Sequence, residues 1–146
     1  MRAAIIRFSS LGDIVLSTSV VGALANTGWA IAFITKRQYA PLLRHDPRIQ
    51  TVIEFDGFQQ TARKIKEFQP DLIIDLHRSM RSTILSGFTG IRVVRANKHS
   101  IRRRLLVQFG IGNRAPKSVA DLYSHTLRKL NINSDIVLPK LFPTSD

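Results

Sequence analysis

Short apolar runs recur about every twenty residues along the chain: Ala3–Phe8, Trp29–Thr35, Thr51–Phe55, Leu72–Leu76 and Ile91–Val94. Each is rich in β-branched or aromatic residues and nearly continuous rather than alternating. Such runs predict strands buried on both faces, as in a parallel sheet. The stretches between them read as helices. Asp13–Asn26 is apolar almost all round and should be deeply covered, whereas Arg37–Leu43, Phe58–Phe68 and Arg78–Gly87 are shorter and more amphipathic. Pro70 closes the third of these just before a strand. Two more helices are expected at His99–Phe109 and Ser118–Leu130, and the polar tail Asn131–Asp146, with Pro139 and Pro143, should be extended.

Strand–helix alternation predicts an α/β class: a Rossmann-like, doubly wound parallel sheet. Right-handed crossovers favour the strand order 3-2-1-4-5. In that order the first and fourth strands lie side by side, and the chain winds away from them in opposite directions. A crevice opens at their carboxyl ends, between the loop after Arg7 and the loop after Leu76. Topology thus selects two loops.

The first loop reads Arg7-Phe8-Ser9-Ser10-Leu11-Gly12-Asp13. It has one glycine where the dinucleotide fingerprint needs three, and no Gly-Lys-Ser/Thr. Ser9 and Ser10 offer hydroxyls, Gly12 permits close backbone approach, and Asp13 puts a carboxylate at a helix start. Ser10-x-x-Asp13 also fits a capping box, so capping and catalysis are both open to Asp13. A helix N-terminus favours the carboxylate form. Asp13 would therefore be a weak base that takes a hydroxyl proton late, once that proton has become acidic in the transition state.

The second loop reads Asp75-Leu76-His77-Arg78-Ser79-Met80-Arg81-Ser82. His77 falls just past the strand end, and Arg78 and Arg81 are expected on one side of the first helical turn. Cations at a helix N-terminus oppose the macrodipole unless an anion sits there. The pair therefore points to phosphate or carboxylate recognition, or to two side chains in water. His45, His99 and His125 stand alone and read as structural. No His, Asp or Glu cluster has metal-ligand spacing, so no metal site is expected.

Charge sharpens this reading. The 146 residues carry 22 Lys and Arg against 10 Asp and Glu, a formal net charge of +12. From Leu76 to Ala120 there are ten basic residues and no acidic one, a one-signed stretch that suits an anionic partner. Lys98 and Arg102-Arg103-Arg104 open an otherwise apolar helix suited to an anionic head group or a membrane surface. Arg63, Lys64 and Lys66 read equally well as a solvated face. With 44% apolar residues the composition is that of a globular domain, and no apolar run could span a membrane. The absence of Cys excludes a Cys nucleophile, thiolate metal sites and disulfides, and fits a cytosolic setting. The first residues lack the apolar core of a signal peptide.

The loops also carry a resemblance. Ile6-Arg7-Phe8-Ser9-Ser10-Leu11-Gly12-Asp13-Ile14-Val15-Leu16-Ser17-Thr18 resembles the opening signature of glycosyltransferase family 9, the ADP-heptose:lipopolysaccharide heptosyltransferases. The likeness continues through Tyr39-Ala40-Pro41-Leu42-Leu43, His45-x-Pro47-x-Ile49, Pro70-Asp71-Leu72-Ile73-Ile74-Asp75-Leu76-His77 and Arg81-Ser82. After about Asn97 only the pattern matches. The resemblance implies one half of a GT-B enzyme performing inverting, metal-independent glycosyl transfer without a cofactor, with Asp13 activating the acceptor hydroxyl.

It further implies that residues 1–138 form the domain that binds an anionic, lipid-linked acceptor sugar. Ser9, Ser10, Gly12, His77, Arg78 and Arg81 would line its site. Residues 139–146 would begin the interdomain linker, and an ADP-heptose-like donor would bind a domain absent from this chain. The chain alone should then be inactive, working in the cytoplasm or peripherally at the cytoplasmic membrane face. The alternative is a basic α/β module that binds nucleic acid or docks on an anionic membrane. Aromatics, at 8%, are not interleaved with the basic run as stacking platforms require, which weighs against nucleic acid.

Overall fold

The computed structural model describes residues 1–96, 126–132 and 137–143. Its elements are β1 (Arg2–Ile6), α1 (Leu11–Asn26), β2 (Ala30–Thr35), β3 (Thr51–Glu54), α2 (Phe58–Phe68), β4 (Leu72–Asp75), α3 (Met80–Thr89) and β5 (Val93–Arg95). The strands form one parallel sheet in the order β3-β2-β1-β4-β5, the doubly wound order expected from the sequence. In register, Ile6 of β1 stands between Ile34 and Asp75.

Alternate residues of the strands feed two cores, because successive side chains point to opposite faces. Ala3, Ile5, Ile31, Phe33, Leu72 and Ile74 pack with Ile14, Val20, Val21 and Leu24 of α1. Ala4, Ile6, Ala32, Ile34, Ile53 and Ile73 pack with Ala62, Ile65 and Phe68 of α2 and Leu85 of α3. A sheet covered on both faces explains why its strands read as continuous apolar runs.

Helix α1 is buried along most of its length. Its internal hydroxyls are satisfied locally: Ser17, Thr18 and Ser19 donate to the carbonyls of Ile14, Val15 and Leu16 at 2.6, 2.6 and 2.8 Å. Across its outer side runs residues 137–143, where the Lys140 amide donates to Thr18 Oγ1 at 2.9 Å and Arg48 Nη2 donates to the Lys140 carbonyl at 3.0 Å.

Two helix expectations need correction. Arg37–Leu43 forms only a short 3-10 turn, Ala40–Leu42, because Pro41 removes a backbone donor from a segment too short to propagate. The helix expected from Arg78 begins instead at Met80. Ser79 caps it by accepting from the Ser82 amide, and Arg78 lies outside it with φ of 51°. Strand ends also shift by one or two residues, with β5 spanning Val93–Arg95. Lys98, His99, Arg102, Arg103, Arg104, Arg114 and His125, and the helix expected at His99–Phe109, lie outside the described residues. Of Ser118–Leu130, residues 126–130 are described: 126–129 are helical and Leu130 is in a turn.

Candidate active site

The switch point brings the two selected loops together, and a residue the sequence reading passed over joins them. Arg7 follows β1 and is only 5% exposed. Its guanidinium donates from Nε to the Ser9 carbonyl at 2.9 Å and from Nη1 to the Leu76 carbonyl at 2.5 Å. Nη2 stands 2.5 Å from Asp13 Oδ2. One planar cation thereby ties the first loop, the second loop and the start of α1, a task suited to the rigid fork of Arg.

Asp13 sits in the first turn of α1, its side chain 18% exposed. Its Oδ2 accepts from the Ser10 amide at 3.2 Å and from Ser10 Oγ at 3.1 Å. The capping box expected from Ser10-x-x-Asp13 is formed, and the same carboxylate pairs with Arg7. Capping and catalysis therefore coexist here as geometric possibilities: the cap fixes the rotamer, and the crevice leaves part of the group accessible. Ser9, half-buried, lends its carbonyl to Arg7, while Ser10, Leu11 and Gly12 are exposed at the rim.

Asp75 organises the second loop from within. It ends β4 and is fully buried. Oδ1 accepts from the His77 amide at 3.1 Å and the Arg78 amide at 2.8 Å, and Oδ2 accepts from Ser82 Oγ at 2.8 Å. Arg95 Nε lies 3.7 Å from Oδ2. Asp75 thus folds the turn that presents His77 and anchors the start of α3. An Asp at a strand end, two positions before a loop histidine, was the available sequence signal for this role.

His77 is half-buried, its ring edge-on to Phe8 with centroids 5.3 Å apart. Nδ1 is buried with no hydrogen-bond partner among the described residues. Burial and the Arg7 charge hold its pKa below the ordinary histidine value of 6.5, aided by Lys36 and opposed by Asp75 and the Ser9 backbone. The imidazole is therefore held toward its neutral form.

The two arginines expected on one helical turn part company. Arg78 Nη1 donates to the Ala96 carbonyl at 2.9 Å, which ties the loop to the end of β5. Arg81 lies in α3, is exposed, and stacks its guanidinium over the Phe55 ring at 5.6 Å. His45 is exposed, as a structural or surface residue would be. A groove of ≈ 570 Å³ lies away from this crevice, along β3 and α2, lined by Arg2, Thr51, Glu54, Lys64 and Phe68. Among the described residues no group of three His, Cys, Asp or Glu could hold a metal ion, and no helix is long and apolar enough to cross a membrane.

No protein-family model matches the chain, and no curated protein matches it. Solved structures do. A glycosyl transferase family 9 protein from Veillonella parvula superposes with a TM-score of 0.72 at 20% identity, covering 98% of this chain and 45% of that one. The E. coli ADP-heptose lps heptosyltransferase II gives 0.70 at 18% identity over 99% of this chain and 47% of its own. An E. coli heptosyltransferase solved with ADP gives 0.68 at 14% identity over 93% and 48%. The chain thus shares its Rossmann-like fold with part of these glycosyltransferases and spans about half the length of each.

Proposed function

We propose that this chain is the acceptor-binding half of an inverting, metal-independent, heptosyltransferase-like glycosyltransferase. The observation that carries the reading is the carboxylate of Asp13, fixed by Arg7 and Ser10 at the mouth of the switch-point crevice. In the proposed reaction an acceptor hydroxyl attacks the anomeric carbon of a nucleotide-sugar from the face opposite the leaving diphosphate. The new C–O bond forms as the anomeric C–O(phosphate) bond breaks, the nucleoside diphosphate departs, and the hydroxyl proton passes to Asp13. The bond from Ser10 and the pair with Arg7 hold the Asp13 carboxylate aimed until that late transfer.

The acceptor is a sugar bearing phosphate or carboxylate, of the kind a glycolipid core carries. Arg81 meets its charge. His77, half-buried on the second loop and held toward its neutral form, bonds one of the acceptor's hydroxyls. Nothing in the first loop supplies the Gly-rich cradle a diphosphate needs, so the donor belongs to a second domain of the enzyme.

Calorimetry on this chain tests the assignment of halves. A sugar carrying phosphate or carboxylate should bind, and Arg81→Ala should weaken it by about tenfold or more, the loss of one charge-assisted contact. Micromolar binding of ADP without binding of the acidic sugar would overturn it.

A further inference from the structure

Helix α3 carries an apolar stripe on its outer side. Met80, Ile84 and Phe88 recur at every fourth position and are 80%, 40% and 47% exposed. They therefore share one face, while Ser82, Leu85, Ser86 and Thr89 turn toward the sheet. The stripe is continuous with the crevice through a chain of ring contacts, one stacked and two edge-on. Phe88 stacks on Phe58 at 6.0 Å, Phe58 meets Phe55 at 5.4 Å, and Phe55 meets Phe8, the neighbour of His77, at 5.2 Å.

The charge around the stripe has one dominant sign. Arg78, Arg81, Arg92 and Arg95 are exposed along the loops and helix from 76 to 96, where no acidic residue occurs. The adjoining helix α2 exposes Arg63 and Lys66 as well, while its Lys64 lines the groove along β3. Three exposed carboxylates lie on this layer. Glu67 stands 3.9 Å from Arg63, Asp71 accepts from the Arg2 amide at 2.8 Å, and Asp56 shares a groove of ≈ 350 Å³ with Phe88. Cations outnumber carboxylates on the face.

We propose that the outer face of α3 docks on a bilayer rich in anionic headgroups. Met80, Ile84 and Phe88 enter the boundary between headgroups and acyl chains, and the exposed cations around them, Arg92 foremost, engage headgroup phosphates. Neither signal suffices alone: three side chains bury little area, and surface charge is screened by salt, but together they give reversible attachment. A second copy of the chain fits less well, because an isologous contact would set like charges against each other. A nucleic-acid partner would leave the apolar stripe in water. Docked this way, the crevice opens beside the lipid surface, within reach of a headgroup sugar. The surface stands on its own observations and does not depend on the transfer reading.

Co-sedimentation of this chain with phosphatidylcholine vesicles, with and without phosphatidylglycerol, tests it. Binding should require the anionic lipid and fall as salt is raised. Met80→Ser and Ile84→Ser should each lower the partition roughly tenfold, since each withdraws an apolar side chain from burial. Both positions are exposed, and a circular-dichroism melt confirms that each variant is folded. Absence of binding, equal binding by folded variants, or stripe-dependent self-association in its place would overturn the proposal. The vesicles hold neither sugar acceptor nor nucleotide, so this failure and failure of the acceptor assignment are read separately.

Discussion

Arg7 Nη2 lies 2.5 Å from Asp13 Oδ2, and the remaining guanidinium nitrogens hold carbonyls of Ser9 and Leu76. The contact is thus one corner of a clamp across both crevice loops. Removing the cation takes a charge partner from the partly buried Asp13 and a donor from two carbonyls. Arg7→Met should destabilise the chain by about 3 kcal/mol, the cost of breaking a buried pair. Arg7→Lys should cost less, since it keeps the charge but loses the fork. Denaturant unfolding of the two variants checks the order, and equal losses would mean that the retained charge contributes nothing without the fork.

Asp75 predicts a different contrast. Its two oxygens serve three donors in a fully buried site. Asp75→Ala should cost roughly 3 kcal/mol, through unsatisfied amides and an unpaired hydroxyl. Asp75→Asn retains an oxygen for the two amides and should cost about 1 kcal/mol. Because the turn also presents His77, the Ala variant should lose acceptor binding as well, measured by calorimetry at a temperature where it remains folded.

His77 makes stability depend on pH in a definite direction. Its pKa is lower in the folded chain than the unfolded value of 6.5, first through burial and then through Arg7. Above 6.5 both states are neutral at this site and the term vanishes. As pH falls below 6.5 the unfolded chain binds the proton first, so stability declines until the folded state also protonates. Unfolding free energies at pH 7.5 and pH 5.5 should therefore differ less for His77→Gln than for the parent chain. An unchanged difference would assign the acid loss to other groups.

The fold was legible because burial on both faces leaves an unmistakable trace. Ile5, Phe33 and Ile74 on one side and Ile6, Ile34 and Ile73 on the other make runs that only a covered sheet tolerates. Strand order followed from handedness, and strand order located the crevice. The Ser10–Asp13 cap was legible because its partners are three residues apart. The Arg7 clamp was not, since Leu76 is 69 positions away and a buried arginine looks like any other in sequence. Arg78 was misplaced for a related reason. Asp75 captures its amide and delays the helix to Met80, and a tertiary carboxylate of that kind overrides the local helical pattern.

Asp13 is where capping and proton transfer make opposite demands on one substitution. In a two-domain form of the enzyme, Asp13→Asn keeps size, shape and an oxygen for the Ser10 amide, but it cannot accept a proton. It also gives up the charge that pairs with Arg7, so some stability should be lost, on the order of 1 kcal/mol. If Asp13 is the base, turnover should fall by roughly 10²–10⁴ while the protein remains folded at assay temperature. If it serves only as cap and counter-ion, transfer should persist near the parent rate despite the lowered melting point. Asp13→Ala removes cap, ion pair and base together and cannot separate these roles. Arg7→Lys supplies the needed control, because it disturbs the same ion pair while leaving the carboxylate in place. A large rate loss in Asp13→Asn beside a small one in Arg7→Lys would assign the proton to Asp13. Near-normal transfer by Asp13→Asn would remove Asp13 from that role and make His77, held toward its neutral form on the other loop of the crevice, the group to test next.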